Sequence, residues 1–142
     1  MKVLIVEARY HESVAVALTE GATAALEKGG ATFERLSVPG ALEIPPAIAL
    51  AAVTRRYDGY LGLGCVLKTG SFHFEMIAAE SAHGLMRLGI EQRLCIGNGI
   101  LACENEDEAL RLADFSRGDA GGEAARACVA LMQWRARLGL SA

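Results

Sequence analysis

Apolar residues recur along the chain in two rhythms, continuous short runs and runs spaced at three and four. Val3 to Val6 is an unbroken apolar stretch of strand length, the kind buried on both faces of a parallel sheet. From Glu12 to Lys28 the positions Val14, Leu18, Ala22, Ala25 and Leu26 share one helical face, and Gly29-Gly30 ends the pattern. Ala31 to Val38 reads as a second strand, with Phe33 and Leu36 less regularly placed. Pro39-Gly40 then breaks the chain. Ala41 to Arg56 is helical by its spacing. Pro45 and Pro46 fit only in a first turn, which puts the helix start at about Glu43. Tyr60 to Leu67 is the third strand and His73 to Leu88 the next helix. Arg93 to Gly97 is a short fourth strand, and Asn98-Gly99-Ile100-Leu101 carries it into a loop. Glu106 to Phe115 is a helix, Arg117 to Gly122 a break, and Glu123 to Leu138 a last helix with Ala127, Leu131 and Trp134 along one side.

Strands alternating with helices imply an open parallel sheet covered on both faces. Such sheets bind ligands outside the carboxyl ends of their strands. The loops Ala8–His11, Val38–Glu43 and Lys68–His73 lie at those ends, and a fourth begins at Asn98. An aromatic (Tyr10), a carboxylate after a proline-glycine turn (Glu43) and an imidazole (His73) therefore converge.

The stretch Gly64–Glu80 carries the most chemistry. It reads as a strand end, a polar turn (Lys68, Thr69, Gly70, Ser71) and a helix opening at Phe72–Phe74. The first N–H groups of a helix have no partner within it, and its dipole favours negative charge there. Ser71 is placed to cap the helix, and Glu75 suits its first turn. His73 is the side chain best fitted to move protons near neutral pH. Taken alone, a strand–turn–helix with one histidine is ordinary α/β architecture. Tyr10 and Glu43 alone read equally well as a loop aromatic and a helix-start carboxylate.

Composition removes several alternatives. A chain of 142 residues suggests one domain, 1–142, with room for a core. The net charge of −3 gives no basic footprint for nucleic acid. Met1-Lys2 leads straight into VLIVEA, which argues against a signal peptide. No apolar run reaches membrane-span length; Ala41–Val53 holds Glu43 and both prolines. The cysteines Cys65, Cys95, Cys103 and Cys128 form no CxxC pair. Small buried thiols in a reducing, cytoplasmic setting fit better than a zinc site or a disulfide frame.

VEARYHE after the first strand, VPGALEIP after the second, GCVLKTGSFHFE after the third and IGNGILACENEDEA after the fourth resemble the 6,7-dimethyl-8-ribityllumazine synthase family. VPGALEIP is the most specific piece, followed by the S-x-H-F-E run. The resemblance covers nearly the whole chain. It implies a flavodoxin-like α/β/α sandwich on a four-stranded parallel sheet, and assembly as homopentamers or pentamer-based shells. It also implies the cofactor-free condensation of 5-amino-6-(D-ribitylamino)uracil with 3,4-dihydroxy-2-butanone 4-phosphate in riboflavin biosynthesis. By the same resemblance Tyr10 stacks on the pyrimidine, and Ala41, Leu42 and Glu43 hold the pyrimidine and ribityl chain. Lys68, Gly70 and Ser71 match the phosphate turn, Asn98 the start of the strand-four loop, and His73 the proton-transfer residue.

The chain departs from the family pattern at several of these positions. The turn reads Lys68-Thr69-Gly70-Ser71, with the glycine moved one place from the usual Arg-Gly-x-Thr. Leu112 stands where the family has an arginine that reaches a neighbouring subunit's phosphate, and Ala120 where it has a lysine. Arg111 is adjacent, but one helical residue turns a side chain by about 100°. Lys68 and Arg117 are the candidate replacements. The missing cations support an alternative, a weakly active or non-catalytic paralogue that binds a lumazine or flavin or builds a shell. A flavin carrier on the same fold is a weaker alternative, because fold does not fix function.

Overall fold

The computed structural model describes residues 1–140. Ser141 and Ala142, included in the single-domain reading, lie outside the described residues. The elements alternate as the apolar pattern implies: β1 (Lys2–Ala8), α1 (Glu12–Lys28), β2 (Thr32–Val38), a 3-10 turn (Ala41–Glu43), α2 (Ile44–Val53), β3 (Gly59–Leu67), α3 (His73–Glu91), β4 (Ile96–Cys103), α4 (Glu106–Ala113) and α5 (Ala120–Arg137).

All four strands are parallel, in the order β2-β1-β3-β4. The chain thus leaves β1 toward one side for β2 and crosses to the other for β3. That reversal puts a topological switch point between β1 and β3, where the carboxyl-edge loops diverge and leave a crevice.

Alternation along the strands divides the interior in two. Val3, Ile5, Leu61 and Leu63 face α1, α4 and α5, and are fully buried with Val14, Leu18, Leu26 and Cys128. Leu4, Val6, Tyr60 and Val66 face the other way, onto Ile44, Ile48, Leu85 and Leu88 of α2 and α3. This is the three-layer sandwich expected. Each fully buried Leu, Ile or Val contributes about 1.5–3 kcal/mol relative to exposure, so the apolar runs hold both layers on the sheet. Pro45 and Pro46 lie in the first turn of α2, where a missing N–H costs nothing.

Several boundaries differ from the sequence reading: Ala8 belongs to β1 rather than to the loop after it, α2 ends at Val53, α3 runs on to Glu91 and α4 stops at Ala113, and the two larger shifts are at the fourth strand and the last helix. The fourth strand begins at Ile96, not Arg93, and runs through Asn98–Leu101 to Cys103. Arg93 has φ 57°, and this left-handed residue turns the chain out of α3 before the strand starts. Gly97-Asn98-Gly99 has poor strand propensity, which is why it reads as a break. The glycine at 97 has a packing reason: a Cβ there would run into the Ala124 carbonyl of α5, which crosses the strand closely. The last helix starts at Ala120, three residues before Glu123. Asp119 caps it, accepting from the Gly122 N–H at 3.2 Å. Gly121 and Gly122 are therefore helical and buried against α1 rather than a flexible break.

Among the described residues, no helix is long and apolar enough to cross a membrane. Cys95, Cys103 and Cys128 are buried, Cys65 is half-buried, and all are free thiols. Burial pushes the Cys65 and Cys128 thiols up to about 12. They remain protonated near neutral pH and pack as small apolar groups.

Candidate active site

β1, β2 and β3 are neighbours, so the loops after them share one edge. Ala8 is level with Val38 of β2. β3 overhangs: Glu7 pairs with Leu63, yet the strand runs on to Leu67. The turn Lys68–Phe72 therefore stands roughly 10 Å beyond the Tyr10 loop along the strand direction, three residues at about 3.3 Å each. It walls one side of the crevice.

Tyr10 is the second residue after β1 and is 82% exposed. Among the described residues its aromatic neighbour is His11, edge-on with ring centroids 5.0 Å apart. An aromatic face left open to solvent at a switch point suits a flat heterocycle. After β2, Gly40 leads into the 3-10 turn. Ala41 is buried and anchors the turn to the α2–α3 layer, while Leu42 and Glu43 stay exposed. The Glu43 N–H donates to the Gly40 carbonyl at 3.1 Å, which holds the turn and leaves the carboxylate free to accept from hydroxyl groups.

The third loop matches the anion cradle in outline and differs in its cap. Gly70 has φ 79°, a left-handed conformation that favours glycine there. The residue preceding α3 is Phe72, whose side chain offers no acceptor. Ser71 contributes only a long bond, with His73 N–H donating to its Oγ at 3.4 Å, and a contact to the Thr69 hydroxyl at 3.1 Å. The first backbone bond of the helix is donated by Met76 to Phe72 at 3.4 Å. The preceding N–H groups thus point at the edge where an anion would sit. His73 is the first residue of α3, exposed beside this turn, while Phe74 and Ile77 pin the helix to the core. Lys68 follows the strand, its N–H donating to the Cys103 carbonyl at 2.9 Å and its Nζ 3.7 Å from Glu104. That exposed pair is weak enough to yield to a phosphate.

Asn98 does not join this group. It lies within β4 opposite Gly62, five residues below the level of Leu67, or about 16 Å down the strand. Its side chain accepts from the Ile100 N–H at 2.9 Å. It lines shallow cavities of about 320 and 380 Å³ on the two sides of this edge strand. The expectation of a carboxyl-edge loop at Asn98 fails because β4 continues to Cys103.

A polar cluster under the Tyr10 loop escaped the sequence reading. Glu7 is 2% exposed in an otherwise apolar strand. Arg35 of β2 donates to both carboxylate oxygens, at 3.1 and 2.8 Å. Arg9 donates to the same carboxylate at 2.7 Å and Thr19 at 3.2 Å. Burial pushes the Glu7 carboxyl up, but the hydrogen bonds and charges of Arg35 and Arg9 outweigh it and hold the group below the ordinary value. Its contribution to stability is therefore full above the ordinary carboxylate range and is lost only as pH falls through the depressed value. The signal was present: an acid in a buried strand must be paired.

Comparison with known proteins identifies the family. The family model for 6,7-dimethyl-8-ribityllumazine synthase matches residues 1–136. The chain belongs to the 6,7-dimethyl-8-ribityllumazine synthase family. It is 48% identical over 136 residues to the synthase of Erythrobacter litoralis, covering 96% of each chain. It is 47% identical to that of Sphingopyxis alaskensis over 138 residues, 97% of each. The synthase of Novosphingobium aromaticivorans is 50% identical over 136 residues, 96% of this chain and 97% of its own. The family match thus spans all four strands of this chain and reaches into every helix of both layers.

Proposed function

We propose that this chain is a 6,7-dimethyl-8-ribityllumazine synthase, and that Tyr10, Ala41, Leu42, Glu43, Lys68, Gly70, Ser71 and His73 form its site. The observation that carries the reading is the shared edge at the switch point. An open aromatic ring, a free carboxylate, an uncapped helix N-terminus and an imidazole occur there together. The Tyr10 ring would take the pyrimidine face, and Glu43 the ribityl hydroxyls. The N–H groups of the α3 start, with Ser71 and Lys68, would take the phosphate of the butanone substrate.

The chemistry then needs proton movement at one place. The amine of the uracil adds to the ketone and water leaves to give an imine. Removing a proton from the carbon next to the imine lets phosphate depart. The second nitrogen then closes the ring and water leaves. His73 stands beside the phosphate turn and serves as base in elimination and acid in dehydration. The N–H cradle stabilises the departing dianion without any cofactor.

The site is open in a single chain, with Tyr10 82% and Phe72 87% exposed. Leu50, Val53, Met86, Ile90 and Trp134 are also large exposed apolar groups that contact between copies would cover. This supports a homopentamer, or a shell of pentamers, in which a neighbouring copy closes the site and brings Asn98 to it. The free thiols support a cytoplasmic setting, and the single four-stranded sheet supports one domain. The test is a reaction of the purified chain with both substrates. Lumazine absorbance should rise in step with free phosphate, and light scattering should give five protomers or a multiple. An active monomer would exclude the shared site. An absence of product under saturating substrates would leave the binding-only paralogue.

A further inference from the structure

We infer that Glu7, Arg9 and Arg35 act as a clamp that positions Tyr10 and thereby sets affinity for the pyrimidine substrate. The inference rests on the function proposed above and goes beyond it to residues that touch no substrate.

The connection from β1 to α1 is three residues long, Arg9-Tyr10-His11. So short a loop takes its shape from its anchors. Arg9 is tied on both sides: NH1 donates to Glu7 at 2.7 Å and NH2 to Glu12 at 2.8 Å, on the first turn of α1. The residue before Tyr10 is thus stapled to the strand behind it and the helix ahead of it. Glu7 is itself fixed by the two bonds from Arg35 and the one from Thr19, so the clamp spans β2, β1 and α1. Tyr10 is 82% exposed, and its ring meets the edge of His11. Its orientation must come from its backbone, and its backbone is set by Arg9.

A buried ion pair is weak evidence for stability, since an apolar replacement of the whole cluster often holds a fold as well. Its better attested use is to fix one geometry among several. Here the geometry it fixes carries the ring on which a heterocycle would stack. A platform held in place before binding spares the ligand the cost of ordering it.

The experiment measures direct binding of the pyrimidine substrate, and separately the KM for the butanone phosphate, in Arg35→Met and Glu7→Gln. The Arg35 side chain is 47% exposed, so its replacement leaves the core intact. Glu7→Gln strands two guanidinium groups; should it fail to fold, Arg35→Met and Arg35→Lys carry the test. Arg35→Met should weaken pyrimidine binding about tenfold, within the range of groups acting in one network. The phosphate KM should stay within about twofold, and Arg35→Lys should recover part of the loss. The decisive arm is the Tyr10→Ala background. If the clamp works through Tyr10, Arg35→Met should have no further effect on pyrimidine binding there. Additive losses in that background, or equal losses for both substrates, would overturn the clamp in favour of a merely structural role. Unchanged pyrimidine binding in Arg35→Met would overturn it outright. A wild-type chain that does not bind the pyrimidine at all would instead sink the functional reading beneath it.

Discussion

Replacing His73 by Ala should cut turnover by roughly 10- to 10⁴-fold, the span of a single general acid–base group. Three proton transfers in the sequence need a group at the phosphate turn, and His73 is the first residue of α3, next to Ser71. Its side chain is exposed and anchors no part of the core, so the fold and the assembly should be unchanged. His83 provides the control. It is exposed on the same helix but ten residues on, about 15 Å along the axis. His83→Ala should leave the rate nearly untouched. Turnover in His73→Ala equal to the wild type would remove this residue from the mechanism.

The second large effect is expected at the positions where the chain lacks the family's cations. Leu112→Arg, alone and with Ala120→Lys, should lower the KM for the phosphate substrate by about 10- to 100-fold, because a charge-assisted contact contributes ~1.5–3 kcal/mol. Pyrimidine binding should change little. Leu112 is half-buried and leans on the core that joins α1 to α5. An arginine there keeps its aliphatic stem on that surface and carries its charge outward. Lys68 and Arg117 are exposed, just beyond β3 and just beyond α4. If either already serves the phosphate, the double variant should gain nothing. Substituting Lys68 and Arg117 by Met separates the cases. A steep loss of phosphate affinity would show that they have taken over the role. Indifference would mean that α4 faces elsewhere, or that the site handles phosphate without cations.

What was legible in the sequence follows from which interactions are local. The apolar runs of β1 and β3 and the helical spacing of α1 carry their own signal, and α1 spans Glu12–Lys28 as that spacing implies. Strand order could not be read directly, but alternation of strands and helices fixed the carboxyl edge, which brought Tyr10, Glu43 and His73 together. The failures are non-local. Gly97 and Gly99 look like breakers until α5 is laid across β4 and leaves no room for a Cβ at 97. Gly121 and Gly122 look flexible until α1 packs on them. Asn98 consequently moved from an edge loop to mid-strand. Glu7 follows the apolar run Val3–Val6 and reads as the start of a loop, and its burial in β1 depends on Arg35, which lies 28 residues away in sequence and one strand over in space. The expected Ser71 cap does not form, because Phe72 rather than Ser71 precedes the first helical residue and no side chain caps α3.

The most direct test of the site is a crystal structure of the chain with an unreactive analogue of the ribitylaminouracil and inorganic phosphate bound. The pyrimidine should stack on Tyr10, the ribityl chain should meet Glu43, and phosphate should sit on the N–H groups between Gly70 and Phe74. The contrary result is a ligand at the opposite edge. There a cavity of about 480 Å³ is lined by Arg55, Tyr57, Tyr60 and Arg135. Occupancy of that cavity, with the Tyr10 edge empty, would contradict the placement of the site.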